Sequence, residues 1–127
     1  MTGNGPERGG VRIETGVDLT HIARIAELAR HERFLRRAFN SCELGDPRPS
    51  HLAGLFAAKE SVFKALGRPL PWKSVAVILN QRGRPTIYLD PAIAPPGLAQ
   101  IAVSISHEAD YAIAVAIALF HPEAGME

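Results

Sequence analysis

The chain has 127 residues, enough for one domain with a sizeable hydrophobic core but too few for two domains of typical size. Hydrophobic residues make up 46% of the chain and charged residues 21%, and the formal net charge of +1 gives no whole-chain argument for binding nucleic acid or a membrane. The only cysteine, Cys42, excludes an internal disulfide and a cysteine-based metal cage, which suits the reducing cytoplasm.

The two ends of the chain differ in composition from the rest. We expect residues 1–10 to form a flexible N-terminal tail and residues 121–127 a C-terminal tail, with a single domain at 11–120. The start, MTGNGPERGG, lacks the apolar segment of a signal peptide, and no apolar run is long enough for a transmembrane helix. These features predict a cytoplasmic protein without a membrane partner.

The first half of the chain is predicted to be mainly helical. VRIETGV at 11–17 indicates a strand ending near Asp18, and Thr20 is the expected N-cap of a helix over 21–39. A loop follows. A second helix is then predicted over 51–66, where Ser50 serves as the N-cap and Gly67 as the C-cap.

The second half has the pattern of β-structure. Strands are predicted at 72–79, 86–89, 101–106 and 111–119, with NQRGRP as a turn and HEAD as a short connection. The continuous apolarity of 111–119 suggests a strand that is covered on both faces or that lies at a subunit contact. The order of elements predicts an α+β fold, with early helices packed on a mainly antiparallel sheet.

The second helix, which contains FAAKESVFKALG, carries charges in an otherwise apolar sequence. Lys59 falls inside the apolar stripe, where a charge is costly unless it is paired or its ammonium extends outward. Glu60 and Lys64 are spaced for a helical ion pair on the surface. Their apolar neighbours favour instead a partner cation for Glu60.

Further candidate residues are open to more than one interpretation. Asp18 could hold a hard cation, or it could be a helix-entry residue that makes local hydrogen bonds. His107 could be structural or could face an anionic ligand, and Ser106 could donate to a phosphate. The basic sector formed by Arg30, Arg33 and Arg37 is a solvated helix face or a surface for an acidic protein or nucleic acid.

Three motifs occur in the order and rough spacing of a known family: GVDLTHIARI, FAAKESVFKALG and VSISHEADYAIAVAI. Over about residues 11–119 the chain resembles the holo-acyl-carrier-protein-synthase type of 4′-phosphopantetheinyl transferases. The resemblance implies that family's fold. It also implies transfer of phosphopantetheine from coenzyme A to a serine of an acyl carrier protein, which leaves 3′,5′-ADP. A non-catalytic relative that binds coenzyme A or the carrier protein is the alternative, and a nucleic-acid-binding domain is disfavoured.

The resemblance also implies site residues. It places Mg²⁺ on Asp18 and Glu60, in keeping with the preference of Mg²⁺ for one or two carboxylates plus substrate phosphates. It makes Asp18, Glu60 and Lys64 the catalytic residues. Lys64, His107 and Ser106 are the expected contacts to coenzyme A.

Further implications concern partners. The resemblance implies a homotrimer with active sites between subunits, and an acidic carrier protein that docks on a basic first helix. The candidate docking residues are Arg24, Arg30, Arg33 and Arg37. The chain departs from the family pattern at Leu55, where many members have arginine, and at RPLPW after KALG, where many have a glycine-containing loop.

Overall fold

The computed structural model describes residues 10–122. In chain order the elements are β1 (Arg12–His21), α1 (Ile22–Leu28), α2 (Glu32–Ala38), α3 (Pro49–Leu66), β2 (Val75–Leu79), β3 (Pro85–Leu89), β4 (Leu98–Glu108) and β5 (Tyr111–Phe120). One antiparallel sheet has the strand order β1–β5–β4, and β2 pairs with β3 in a separate hairpin. The predicted α+β class is therefore confirmed.

The predicted tails fall largely outside the described part of the chain, on residues 1–9 and 123–127, so the proposed domain limits stay a prediction. Within residues 10–122, no helix is both long and apolar enough to cross a membrane.

Small side chains let α3 lie close to the sheet. Strand β5 is central, and its side chains alternate between the two faces of the sheet. The residues that face α3 are almost inaccessible to water: Ala112, Ala114, Ala116 and Ala118. The helix adds buried alanines of its own: Ala53, Ala57, Ala58 and Ala65. Because these side chains end at Cβ, helix and strand backbones approach closely, and side chains on their margins can meet.

The opposite side of the sheet, which we call the outer sheet face, carries large apolar side chains that are 40–61% exposed in the single chain. They are Ile13, Val17 and Leu19 on β1 and Tyr111, Ile113, Val115 and Ile117 on β5. Strand β5 is thus apolar on both faces, as predicted, but only one face is covered within the chain.

The prediction of one helix over 21–39 is wrong, because two helices occupy this stretch. The amides of Arg30 and His31 bond to carbonyls three residues back, which tightens the end of α1 and redirects the chain. The turn allows Ile25 on α1 and Phe39 after α2 both to reach the core, where each is at most 1% exposed. Tertiary packing has overridden the continuous helical pattern.

The predicted N-caps are also wrong, whereas the predicted C-cap is correct. Thr20 belongs to β1, which continues to His21, and its hydroxyl donates to Asp18. Ser50 lies inside the first turn of α3, which begins one residue earlier at Pro49, a residue suited to the first helical position. Gly67 ends α3 with a φ of 86°, a conformation that glycine adopts without strain.

The strand limits shift by a few residues. Residues 72–74 form a single 3₁₀ turn, so β2 starts at Val75 rather than at Trp72. Strand β4 extends to Glu108, into the predicted HEAD connection, and β5 starts at Tyr111 as predicted, which leaves a turn of only Ala109 and Asp110. His107 therefore lies in a paired strand position, opposite Ala112.

Candidate active site

Gly16 allows β1 to touch the second half of α3. A Cβ atom built at this position would lie 2.1 Å from the carbonyl oxygen of Ser61 and 2.7 Å from the amide nitrogen of Ala65. Real Cβ atoms do not approach backbone atoms that closely, so glycine is required for this contact. The contact brings Asp18, two residues further on the same strand face, to the side of α3 that carries Lys64.

Asp18 and Lys64 form an ion pair between β1 and α3. The Lys64 ammonium lies 3.3 Å from Oδ1 of Asp18 and donates to the carbonyl of Val17 at 3.0 Å. The Thr20 hydroxyl donates to Oδ2 at 2.7 Å, which holds the Asp18 carboxylate in place. Within residues 10–122 Lys64 pairs with Asp18 and not with Glu60, so the alternative of a Glu60–Lys64 pair on the helix surface is wrong.

Glu60 faces a cleft together with Lys64. The cleft has a volume of about 500 Å³, and we call it the Glu60 cleft. Its lining residues are Glu60, Phe63, Lys64, Gly67, Arg68, Pro69, Leu70 and Trp72. The indole N–H of Trp72 donates to Oε2 of Glu60 at 2.6 Å, a contact that the sequence did not predict. Because Lys64 also touches Asp18, the three predicted catalytic residues come together around the last turns of α3.

The two carboxylates of this site fit the donor preference of Mg²⁺. Asp18 and Glu60 are on different elements, and each offers hard oxygen atoms beside the same lysine. No third aspartate, glutamate, histidine or cysteine within residues 10–122 joins them in a cluster that could enclose a metal ion. Mg²⁺ tolerates such an open arrangement, because it keeps several waters and takes substrate phosphates as ligands.

His107 borders a different cleft. Its volume is about 250 Å³, and it lies beside the first half of α3; we call it the His107 cleft. Its lining residues include Arg48, His51, Gly54, Leu55, Gly83 and Pro85. Strand β5 separates His107 from Thr20, its counterpart on β1, so their backbones are roughly 10 Å apart at usual strand spacing. A single chain therefore does not bring His107 into the Glu60 cleft.

Ser106 points away from the other predicted residues. Neighbouring side chains of a strand face opposite sides, so Ser106 is exposed on the outer sheet face while His107 faces the α3 side. Its predicted contact with coenzyme A stays a prediction, and within one chain Ser106 does not join either cleft.

Lys59 points into the protein rather than outward, so of the two alternatives for its charge the paired one holds. The ammonium is completely buried and lies 2.7 Å from Oε1 of Glu43, and it also donates to the carbonyls of Ala38 and Trp72. Burial lowers the pKa of the Lys59 ammonium, and the Glu43 carboxylate opposes this effect.

Glu43 was not among the predicted site residues, although the sequence holds a signal for it. Asn40 and Glu43 have the spacing of a capping box, and the Glu43 carboxylate does accept from the amide of Asn40 at 2.7 Å. Its other oxygen accepts from the amide of Val77. The capping-box spacing indicates a local turn, but it does not indicate the contact with Lys59, which lies 16 positions further along the chain.

The candidate docking arginines are exposed, but they do not share one helix. Arg24 lies on α1, Arg30 lies in the link and pairs with Glu27, and Arg33 and Arg37 lie on α2. The Arg37 guanidinium lies 5.9 Å from the ring centre of Trp72. The basic surface therefore extends to the edge of the Glu60 cleft.

Comparison with known proteins identifies close relatives. The sequence pattern of the 4′-phosphopantetheinyl transferase superfamily matches residues 14–116. The holo-[acyl-carrier-protein] synthase of Chlorobaculum tepidum is 40% identical over 121 residues, covering 87% of this chain and 99% of the relative. That of Caldanaerobacter subterraneus subsp. tengcongensis is 38% identical over 123 residues, covering 86% and 96%.

Solved structures share the same fold. The crystal structure of Helicobacter pylori holo-[acyl-carrier-protein] synthase in complex with coenzyme A superimposes with a TM-score of 0.75 at 28% sequence identity, covering 82% of this chain and 98% of that one. Family pattern, relatives and fold agree, and they confirm the resemblance that the three sequence motifs predicted. The chain belongs to the 4′-phosphopantetheinyl transferase superfamily.

Proposed function

We propose that this protein transfers the 4′-phosphopantetheine group of coenzyme A to a serine hydroxyl of an apo-acyl carrier protein. The observation that supports the proposal most directly is the meeting of Asp18, Glu60 and Lys64 beside one cleft, in a chain whose relatives are holo-[acyl-carrier-protein] synthases. These residues supply what phosphoryl transfer requires, namely positioning and stabilisation of charge.

In the proposed reaction the serine oxygen forms a bond to the phosphorus that carries the pantetheine arm. The pyrophosphate P–O bond breaks, and 3′,5′-ADP leaves with the electron pair. Lys64, a compact cation whose side chain is 55% exposed at the cleft, stabilises the leaving phosphate or delivers a proton to it. Glu60 orients the serine or accepts its proton, directly or through a water molecule.

Asp18 and Glu60 would hold Mg²⁺, with the remaining ligand positions left to phosphate oxygens and water. When bound, the ion would neutralise charge on the pyrophosphate. The Thr20 hydroxyl keeps the Asp18 carboxylate oriented, and Lys64 moderates the repulsion between the carboxylates and the incoming phosphates.

The His107 cleft is our candidate for the nucleotide end of coenzyme A. His107, His51 and Arg48 bring imidazole and guanidinium groups to its lining, which suits phosphate groups. Leu55, which replaces the arginine common in the family, is 2% exposed and also borders this cleft. We therefore expect the phosphate contacts here to come from the surrounding histidines and arginine.

The acidic carrier protein would dock on the exposed arginines of α1, α2 and their link. Arg37 lies above Trp72 at the rim of the Glu60 cleft, so a partner on this surface can deliver its serine to the catalytic residues. Because such charges are exposed, we expect them to raise the rate of association and to lose their effect at high salt.

We further propose a cytoplasmic homotrimer that buries the outer sheet face. The seven large apolar residues of that face are otherwise 40–61% exposed, and contiguous apolar patches of this kind mark interfaces. A trimer would also explain why the two clefts are separate within one chain. The His107 cleft of one subunit could bind the nucleotide end of a coenzyme A molecule whose reacting phosphate lies in the Glu60 cleft of another subunit. The single cysteine, Cys42, fits a reducing compartment.

The proposal is tested by incubating the protein with apo-acyl carrier protein, coenzyme A and Mg²⁺ and measuring intact mass. We expect the carrier protein to gain one phosphopantetheine group. Asp18→Ala and Glu60→Ala should each slow this gain by at least about 100-fold, as expected when a group that acts on charge or protons is lost. Circular dichroism and thermal melting verify that both variants fold.

Arg82→Ala is a suitable control, because Arg82 is exposed in the β2–β3 turn. Unchanged transfer by either carboxylate variant would remove that residue from the mechanism. If the wild-type protein binds coenzyme A or the carrier protein without any mass gain, the non-catalytic alternative is correct.

A further inference from the structure

Trp72 is the only tryptophan of the chain, and its indole N–H is directed at the proposed magnesium ligand Glu60. The N–H donates to Oε2 at 2.6 Å, a short distance for a charge-assisted bond from nitrogen. The terminal torsion of a glutamate is broad and roughly twofold, so an isolated carboxylate samples many orientations. A fixed donor on one oxygen removes that freedom and leaves Oε1 for another ligand.

The indole ring is itself held by an aromatic cluster. Its centre lies 5.3 Å from that of Phe56 and 6.3 Å from that of Phe34, and the Arg37 guanidinium lies 5.9 Å from the ring centre. Contacts at these distances are favourable for aromatic rings and for a cation near a ring face. Rotation of the indole away from Glu60 would break them.

The backbone that carries Trp72 is anchored by the buried ion pair. Lys59 donates to the Trp72 carbonyl at 3.2 Å, and Glu43 accepts from the Val77 amide at 2.7 Å. Lys59 is also the neighbour of Glu60 on α3. The helix therefore binds Trp72 at two points, through Lys59 at its carbonyl and through Glu60 at its indole nitrogen.

We propose that Trp72 is a positioning residue that holds the Glu60 carboxylate so that Oε1 is presented to Mg²⁺, and that the Glu43–Lys59 pair fixes the segment from which it does so. This inference rests on the proposed function, in which Glu60 is a magnesium ligand. Partners that orient a metal ligand typically affect metal affinity or activity by about 10–100-fold when removed.

Trp72→Phe is the test variant, because it keeps an aromatic ring but removes the N–H donor. We expect binding of Mn²⁺, a spectroscopic substitute for Mg²⁺ measured by electron paramagnetic resonance with coenzyme A present, to weaken by about tenfold. The KM for Mg²⁺ in the transfer assay should rise by a similar factor. Transfer at saturating Mg²⁺ should fall less, because the catalytic groups themselves remain.

Phe34→Leu is the matched control. It removes one of the ring contacts of Trp72 but leaves the indole N–H and its contacts with Phe56 and Arg37 in place, so Mn²⁺ affinity should stay within about twofold of wild type. If Trp72→Phe and Phe34→Leu weaken Mn²⁺ binding equally, or if Trp72→Phe folds and binds Mn²⁺ as wild type does, the proposed role of Trp72 is excluded.

A second measurement does not depend on the stability of the Trp72 variant. The single indole gives one N–H signal in a ¹H–¹⁵N NMR spectrum, and Glu60→Gln should shift that signal because the acceptor loses its charge. An unshifted signal in folded Glu60→Gln contradicts the contact.

The same variant separates the two proposals. If Glu60→Gln abolishes Mn²⁺ binding and transfer while Trp72→Phe leaves Mn²⁺ affinity unchanged, the proposed function stands and only the positioning role fails. If Glu60→Gln leaves Mn²⁺ binding intact, Glu60 is not a ligand, and both the metal assignment and this inference fail.

Discussion

At Gly16 the backbones of β1 and α3 are in direct contact, and the position of Asp18 depends on this contact. The backbone atoms of Ser61 and Ala65 occupy the space that any larger side chain would need. The glycine also lies opposite Ala116 on β5, so small residues occupy adjacent positions on two strands. The ion pair between Asp18 and Lys64 forms because nothing at Gly16 holds the strand and the helix apart.

Gly16→Ala should therefore destabilise the protein and impair the site together. We expect the free energy of unfolding to fall by about 3 kcal/mol, the upper end of the range for overpacking, because the added methyl group meets backbone rather than a movable side chain. Chemical denaturation measures the stability, and the transfer assay measures the site. Gly45→Ala is the control, since nothing lies within 4 Å of a Cβ at that position, and it should change neither quantity. Equal effects of the two substitutions would contradict the close contact.

Between elements, the buried Glu43–Lys59 pair connects α3 to both of the segments that flank it in sequence. Lys59 binds the end of α2 at Ala38 and the turn before β2 at Trp72, while Glu43 binds β2 at Val77. Every polar atom of these buried side chains has a partner within the described residues. One charged pair in the core thus aligns a helix, a loop and a hairpin around the Glu60 cleft.

Removing one partner of this pair leaves the other charge buried without compensation. Lys59→Met and Glu43→Gln should each lower the free energy of unfolding by about 3–5 kcal/mol in urea denaturation at neutral pH. Glu32→Gln is the control, because it breaks the exposed i,i+4 pair with Arg36, which is worth about 0.5 kcal/mol. A loss below 1 kcal/mol for Lys59→Met would show that the buried pair adds little to stability.

On the scale of the whole molecule, the outer sheet face is the surface that a single chain leaves uncovered. On β5 the residues of this face alternate regularly with the alanines that contact α3, so this strand is apolar on both sides, and β1 adds Ile13, Val17 and Leu19 to the same outer face. A strand that faced water on one side would carry polar residues there. The composition of these strands fits a subunit interface.

Val115→Lys should dissociate the proposed trimer. Val115 is 41% exposed near the middle of the outer sheet face, where a buried ammonium in the interface would lack a partner. Light scattering after size exclusion should give three times the 13.7 kDa of one chain for wild type and a smaller mass for the variant. Tyr88→Lys, at an exposed aromatic residue on β3, is the control and should leave the mass unchanged. A wild-type mass of 13.7 kDa would exclude the trimer.

Local and familial features were predictable from the amino-acid order. Alternation and turn residues indicated the α+β class, and glycine after the last helical turn marked the end of α3 at Gly67. The motifs around Asp18, Glu60 and Lys64 pointed to the family, because their residue types and spacing are linked to the chemistry. The break between α1 and α2 within residues 21–39 was not predictable in this way, because it serves tertiary packing and no strong local signal marks it.

Contacts between distant residues required the folded chain. Lys59 and Glu43 are 16 positions apart and Trp72 and Glu60 are 12 apart, so no periodicity within one element links them. The Glu60–Lys64 spacing even suggested the wrong ion pair, because on an isolated helix an i,i+4 pair is the nearest available partner. In the folded protein, Gly16 brings Asp18 to Lys64, and the buried Lys59 brings Trp72 to Glu60. Local sequence specifies which chemical groups are present, whereas tertiary packing decides which of them meet.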